Sequence, residues 1–475
     1  MQAQKQSNPS VYSLGQLEPL KAKDLPTPIP PKKMLFSGLS VLILAVGLGS
    51  GEFIIFPTLT LKYGFAILWA AWVGLLTQYI INMEISRYTL ASGETILTGF
   101  ARLWKPWAWI FLACNILPWM WPGWATGGAQ CVSYLIPANV TALAIGGLIF
   151  IGLALSLGPV IHKTAMIIQT FLVISIIVFM ITIALLLFNL DTVMQMLKGC
   201  MQIGFIPKDI ELSLFLTALA FAGAGGTLNI AQSEYIREKG YGMGRFIGRL
   251  CSPITGEKEP VECTGFYFEC NEENMNRWKI WWKSVSLEHF VTFFILGTLS
   301  ILLLSFIAYS TVYGTDVGSG LTFIHNMGEV LGEQFGGFVK VIFYVMGAAI
   351  LFTTELGVLD ATSRISADII KTNTKIRFSK SMIYLVFLWF EIILGIIILS
   401  SGVREPVMLL KIAGSLNGIV MAIYSMLLLY TNSGRLLGRP LSMRGLAFAG
   451  MCWAVALYGY FSIALVKGIL QSLFG

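Results

Sequence analysis

Apolar runs long enough to cross a bilayer follow one another along this chain, separated by short polar segments in which the basic residues collect. Hydropathy predicts spans near 35–60, 64–86, 106–134, 141–158, 165–189, 212–236, 287–310, 337–357, 381–400, 405–430 and 445–471. About 20 consecutive apolar residues is the length at which a helix crosses the hydrocarbon core. Two of these runs are interrupted. In the first, Gly47, Gly49 and Gly51 stand at alternate positions and Glu52 follows at once. In the sixth, about half the chain away, the break reads Ala222, Gly223, Ala224, Gly225, Gly226, Thr227, Leu228, Asn229. Broken backbone at membrane depth is tolerated only where it is buried in protein or lines a cavity. A carboxylate at that depth is a functional candidate by default.

The distribution of basic residues orients the chain. Of 32 Lys and Arg residues, Lys62, Lys198, Lys208, Arg404 and Lys467 fall on one side of the alternation, and Lys340 and Lys411 fall at or within spans. All the others lie on the side of the N-terminal tail, which is therefore expected to be cytoplasmic, with the C-terminus outside. Residues 1–33 are polar and rich in Pro and Lys and read as a cytoplasmic tail, not a signal peptide. Spans 1–5 (34–190) and 6–10 (210–430, with a cytoplasmic loop at 237–283) then form two five-helix halves of opposite orientation. Each half opens with a broken helix, and 431–475 supplies an eleventh helix. Paired broken helices in corresponding positions of two inverted repeats mark the binding site of a secondary transporter. The repeat is inferred from topology alone. The expected fold class is an all-α integral membrane protein of about 11 transmembrane helices, located in the plasma or bacterial inner membrane.

Composition agrees. The chain has 475 residues, 56% of them hydrophobic and only 12% charged, against about 25% charged in soluble domains. The net charge of +7 resides in short loops beside spans, so the lipid bilayer, and not nucleic acid, is the expected partner. The seven cysteines, including Cys251, Cys263 and Cys270 in the 237–283 loop, show neither a disulfide framework nor zinc-ligand spacing. No HExxH, nucleophile–base arrangement or phosphate loop appears, which argues against an enzyme. No cofactor is expected, and the oligomeric state is not legible.

The candidate chemistry centres on the two breaks. Unwound helices offer free carbonyls to cations and half-helix N–H groups to anions. Gly49, Ser50, Gly51 and Glu52 on one side, with Gly223, Gly226, Thr227 and Asn229 on the other, make a set of hard oxygen ligands suited to a divalent cation. Glu52 and Asn229 are the expected metal contacts. Trp119 belongs to an aromatic cluster (Trp119, Trp121, Trp124) in span 3, which reads either as a stacking wall for an organic solute or as an interfacial belt. Asn417 in span 10 is a plausible lining residue.

The order of spans resembles that of the Nramp metal-ion transporters, which have a LeuT-type fold of five plus five helices. The residues carrying the resemblance are the first break, its exit at 64–69 (GFAILW), and 84–94 (EISRYTLASGE) at the end of span 2. Counting back from Gly64, the family's Asp-Pro-Gly-Asn motif falls on Gly49, Ser50, Gly51 and Glu52. Its Met-Pro-His-Asn motif falls on Gly226, Thr227, Leu228 and Asn229. The metal-binding aspartate, the thioether and the histidine implicated in proton coupling are all missing. The resemblance implies a transporter working by alternating access on a divalent cation of the Mg²⁺ or Mn²⁺ type. The alternative is a symporter for a small organic solute using the same site.

Span 8 supplies the coupling candidates, Glu355 and Asp360, for H⁺ or Na⁺. Five residues apart on a helix, they point to different faces. Glu84 and Arg87 read as an intrahelical pair. Glu288 and His289 open span 7 at the inner surface and read either as a proton relay or, as is usual for a lone histidine at a helix start, as a solvated pair. Arg277, Trp278, Lys279, Trp281, Trp282 and Lys283 read as an interfacial anchor before that span. Glu391 and Lys411 are expected to be buried charges whose partners the sequence does not name.

Overall fold

The computed structural model describes residue 17 and residues 19–34, 48–157, 161–248, 264–315 and 320–474. The first half of span 1, with Gly47, lies outside the described residues, as do Cys251 and Cys263.

The described chain is helical apart from two short strands. Strand β1 (Lys21–Ala22) and helix α1 (Pro31–Met34) belong to the tail. Then come α2 (Leu48–Ile55, π-helical), α3 (Phe56–Tyr63), α4 (Trp69–Ser92), α5 (Ile96–Leu103), α6 (Trp107–Trp119), α7 (Gly123–Ser133), α8 (Val140–Leu157), α9 (Ile161–Leu186) and α10 (Leu190–Cys200). The second half holds α11 (Leu212–Ala220), α12 (Gly226–Lys239), strand β2 (Phe266–Tyr267), α13 (Glu272–His289), α14 (Leu296–Val312) and α15 (Thr322–Phe335). It continues with α16 (Gly337–Asn373), α17 (Lys380–Ser400), α18 (Pro406–Tyr430) and α19 (Leu446–Phe474).

Among the described residues, six helices are long and apolar enough to cross a membrane, or seven with the bent pair Gly51–Ile67 and Trp69–Ser92, which turns through 101°. Eleven is not reached by length because spans 1 and 5 are described only in part and because the chain interrupts spans 3 and 6. Pro118 and Pro122 divide span 3 into α6 and α7, since proline removes an N–H and clashes with the preceding turn. Glycines divide span 6 into α11 and α12.

One large apolar core runs through the bundle, and a smaller one lies where α7, α8, α16 and α17 meet around Leu148, Leu359, Leu388 and Ile392. The tail is tied across one end. β1 pairs in parallel with β2, the Trp281 indole donates to the Pro26 carbonyl (2.9 Å) and Ser284 donates to that of Ile29 (3.0 Å). Trp278 and Trp281 are buried, so these two hold protein segments together instead of lying in a lipid interface. The predicted 237–283 loop is also partly helical, because α13 begins at Glu272 with Asn271 as its N-cap.

Candidate functional site

The break in span 6 falls where the glycines predict. α11 ends at Ala220 and α12 starts at Gly226, with Gly225 at φ 74° and Gly226 at φ 47°, the left-handed region that glycine enters without steric penalty. Span 1 is π-helical at Leu48–Ile55 in its described part, not unwound. The two interruptions touch. A Cβ on Gly51 would stand 1.5 Å from the Phe221 carbonyl oxygen, so only glycine permits this approach. Gly226 likewise lies against Asn417, whose Oδ1 would be 1.7 Å from an added Cβ. A Cβ on Gly223 would collide with Phe293 and Gln78. Gly49 and Ser50 lie in the π-helical turn, and their side chains are outside the described residues.

Gln78 of α4 fills the break in span 6. Its Nε2 donates to the carbonyls of Leu219 (3.0 Å) and Ala220 (2.9 Å), while its Oε1 accepts from the Gly225 N–H (3.1 Å) and from Asn229 Nδ2 (3.3 Å). The Tyr458 hydroxyl also donates to the Leu219 carbonyl (3.2 Å). Carbonyls that unwinding frees are thus already bonded to side chains. Sequence reasoning passed over Gln78, although an amide in the otherwise apolar middle of span 2 was the available signal.

Around this plug stands a second set of polar atoms with no partner. Asn229 donates to Tyr424 (3.1 Å) as well as to Gln78, but its Oδ1 is buried and unbonded. Both polar atoms of the Asn417 amide are buried and unbonded, and so is the Trp124 indole nitrogen. The Trp119 and Trp124 rings lie 5.6 Å apart and stacked, and Phe221 of the break packs against both at 5.8 and 5.7 Å. At 3% and 1% exposure these tryptophans form an internal wall, not an interfacial belt. The Trp119 indole donates to Thr227 Oγ1 (2.8 Å), which donates to Asn115 Oδ1 (2.8 Å), fixing the ring plane. Thr227 therefore orients Trp119 and is not a free ligand oxygen.

Glu52 is fully buried and neither oxygen has a hydrogen-bond partner. Ser300 of α14 stands beside it, but that hydroxyl donates to the carbonyls of Leu296 and Gly297 (both 2.9 Å) in its own helix. Glu52 makes no hydrogen bond to Asn229, its expected co-ligand. Among the described residues, no group of three or more His, Cys, Asp or Glu side chains could hold a metal ion.

The span 8 acids separate as their spacing requires. Asp360 accepts from Arg364 (2.9 Å) and Tyr384 (3.0 Å). It belongs to a buried ionic lattice near the tail, in which Arg364 also holds Glu238 (2.9 Å), and Asp368 holds Arg237 (2.8 Å) and Lys380 (2.7 Å). Glu355 stands apart, next to the Ala125 backbone. Glu84 and Arg87 form the expected pair (2.8 Å). Two expectations change. His289 is fully buried, stacked on Phe293 (4.7 Å) and Tyr79 (5.7 Å), because α13 starts at Glu272 and delivers it to the interior. Lys411 is a third exposed at its side chain and pairs with Glu211 (2.7 Å), whose carboxyl it holds below the usual range.

No protein-family model matches the chain. No curated protein matches it in sequence. Solved structures do match in fold. Crystal structures of the manganese transporter of Eremococcus coleocola, as point variants and in complex with an aromatic bis-isothiourea substituted compound, superpose with a TM-score of 0.71 at 12% identity. The alignment covers 95% of this chain and 91% of theirs. The nucleobase-cation symporter Mhp1, in a closed conformation with bromovinylhydantoin bound, aligns at 13% identity over 97% of each chain with a TM-score of 0.48. The chain is thus a helical integral membrane protein with the LeuT-type fold of the solved manganese transporter.

Proposed function

We propose that this chain is a secondary transporter whose substrate binds between the two interruptions, and that the substrate is a small, flat organic solute. The observation that carries the reading is the buried set of unbonded Asn229 Oδ1, Asn417 amide and Trp124 Nε1 beside the stacked Trp119, Trp124 and Phe221 rings. An unmet buried polar group costs about 1–3 kcal/mol, so several on adjoining elements suggest that a ligand completes them. Two acceptor oxygens, two donors and aromatic faces suit a heterocycle or amide that both stacks and hydrogen-bonds. Binding would fix α11 and α12 relative to α2, and release would let them rock, the movement that alternating access needs. The tail side is cytoplasmic in this reading because the basic residues collect there.

A divalent cation is the second reading. It draws on the fold shared with a manganese transporter and on the unbonded Glu52 carboxyl. Against it stand the Gln78 plug on the carbonyls of the break and the lack, among the described residues, of any group of three or more His, Cys, Asp or Glu side chains that could hold a metal ion.

Binding by the purified full-length protein separates the two. A panel of heterocycles and amides is compared with Mg²⁺ and Mn²⁺, using Asn417→Leu and Glu52→Gln. Solute binding lost in Asn417→Leu supports the first reading. Cation binding lost in Glu52→Gln, with no solute bound, replaces it with the second.

A further inference from the structure

A second polar site lies away from the breaks, where α7, α16 and α17 meet. Glu355 of α16 and Glu391 of α17 are 3% and 4% exposed, and the Glu355 carboxyl acts electrostatically on that of Glu391, which is bonded to Thr362 about two helical turns along α16 from Glu355. The backbone N–H of Ala125, in the first turn of α7, faces Glu355. That N–H is free because the break at Pro122 ends α6 and starts a new helix, whose first N–H groups have no intrahelical partner. Glu391 accepts from the Thr362 hydroxyl. Each acid keeps one oxygen, Glu355 Oε2 and Glu391 Oε1, buried and without any hydrogen-bond partner.

The small core between α7, α8, α16 and α17 is apolar, and among the described residues the charged side chains nearby are engaged elsewhere. Asp360 and Arg364 on α16 bond to one another and to Tyr384 and Glu238. Glu234, Glu238 and Arg237 of α12 and Lys380 of α17 are engaged in the same lattice. Arg102 of α5 is paired with Glu94. Glu52 lies on α2 beside α14. His325, Glu329 and Lys340 pair among themselves where α15 meets the start of α16. Two carboxyls sharing an apolar pocket cannot both stay charged without a counter-charge, because burying even one uncompensated ion costs several kcal/mol.

We infer that Glu355 and Glu391 together form the coupling-ion site of this chain, taking a monovalent cation, H⁺ or Na⁺. The inference rests on the transporter reading and adds to it a place for the driving ion that is separate from the solute. It also gives the break in span 3 a purpose. Occupancy changes the charge at the first turn of α7, whose helix begins with Trp124 of the aromatic wall just beyond Gly123, so ion and solute meet through one short segment.

The test needs no solute. The full-length purified protein is compared with Glu355→Gln, Glu391→Gln and the double variant in two assays. One is equilibrium binding of ²²Na⁺ at fixed pH. The other is a difference proton titration in Na⁺-free buffer between about pH 5 and 9, the range in which a perturbed buried carboxyl titrates. The expected result is that wild type binds Na⁺, or takes up a proton, that each single variant loses at least about tenfold in affinity or loses the proton, and that the double variant loses no more than either single one. Na⁺ binding without a titration difference identifies Na⁺, and the converse identifies H⁺. All three variants matching wild type in both assays would overturn the site, whatever the solute experiment returns. Glutamine removes the charge and keeps the size and one acceptor oxygen, and a matching melting temperature shows that the variants are folded.

Discussion

Two buried polar regions of this molecule solve the problem of polarity inside a membrane protein in opposite ways. At the tail end, Glu234, Arg237, Glu238, Asp360, Arg364, Asp368 and Lys380 are all at least nine-tenths buried, and every one has a partner of opposite charge. Beside the breaks, Glu52, Asn229 Oδ1, Asn417 and Trp124 are just as buried and unbonded. The lattice joins α12, α16 and α17 and sets an opposite charge against every one of its own, although Arg364 Nη2 is itself buried and unbonded. In the proposed reading, the central region is the one that a ligand completes. Substitutions in the first region should therefore cost stability, and those in the second should cost binding.

The largest effect is expected at Asp368, which holds Arg237, Lys380 and the Thr95 hydroxyl (2.7 Å). Asp368→Ala leaves two buried cations short of a partner and should destabilise by about 3–5 kcal/mol, read as a fall in the thermal unfolding midpoint in detergent. Gln78→Ala comes next. It strips the carbonyls of Ala220 and Leu219 and the Gly225 N–H of their amide, a loss of about 1–3 kcal/mol. Gln78→Glu should restore little, since a carboxylate cannot donate to the two carbonyls.

Asn417→Leu should sharpen the contrast. It removes no hydrogen bond, so unfolding should shift by less than about 1 kcal/mol, while solute binding is lost. A destabilisation as large as that of Asp368→Ala would place Asn417 with the lattice and break the comparison. The smallest effect is expected from Lys411→Ala. Its pair with Glu211 is largely exposed, and such pairs contribute about 0–1 kcal/mol. Because Lys411 holds the Glu211 carboxyl below its ordinary range, the contribution is fully present above the ordinary glutamate value and is lost as pH falls from there through the lowered value. The difference between wild type and variant should vanish in acid.

Span 1 is π-helical, not unwound, in its described part, but the break in span 6 was legible because clustered glycines in an apolar run have few other uses. Its partners were not. Gln78 lies some 140 residues from the carbonyls it caps, and only the packing of α4 against α11 brings it there. Span 3 hid its break because Pro118 and Pro122 sit in a run that hydropathy scores as continuous. Glu391 was visible as a buried acid, yet its neighbour Glu355 comes from another helix, and hydropathy carries no information on which helices meet. The pairing of Asp360 with Arg364 needed only helix periodicity, and spacing of four residues sufficed.

The central claim is that the unbonded amides and stacked tryptophans read an organic solute. Equilibrium binding by purified wild type and Asn417→Leu, over heterocycles and amides with Mg²⁺ and Mn²⁺ in parallel, tests it most directly. The account predicts a solute that binds wild type and is lost in a normally folded Asn417→Leu. Binding of a divalent cation alone, unchanged in that variant and abolished in Glu52→Gln, would contradict it.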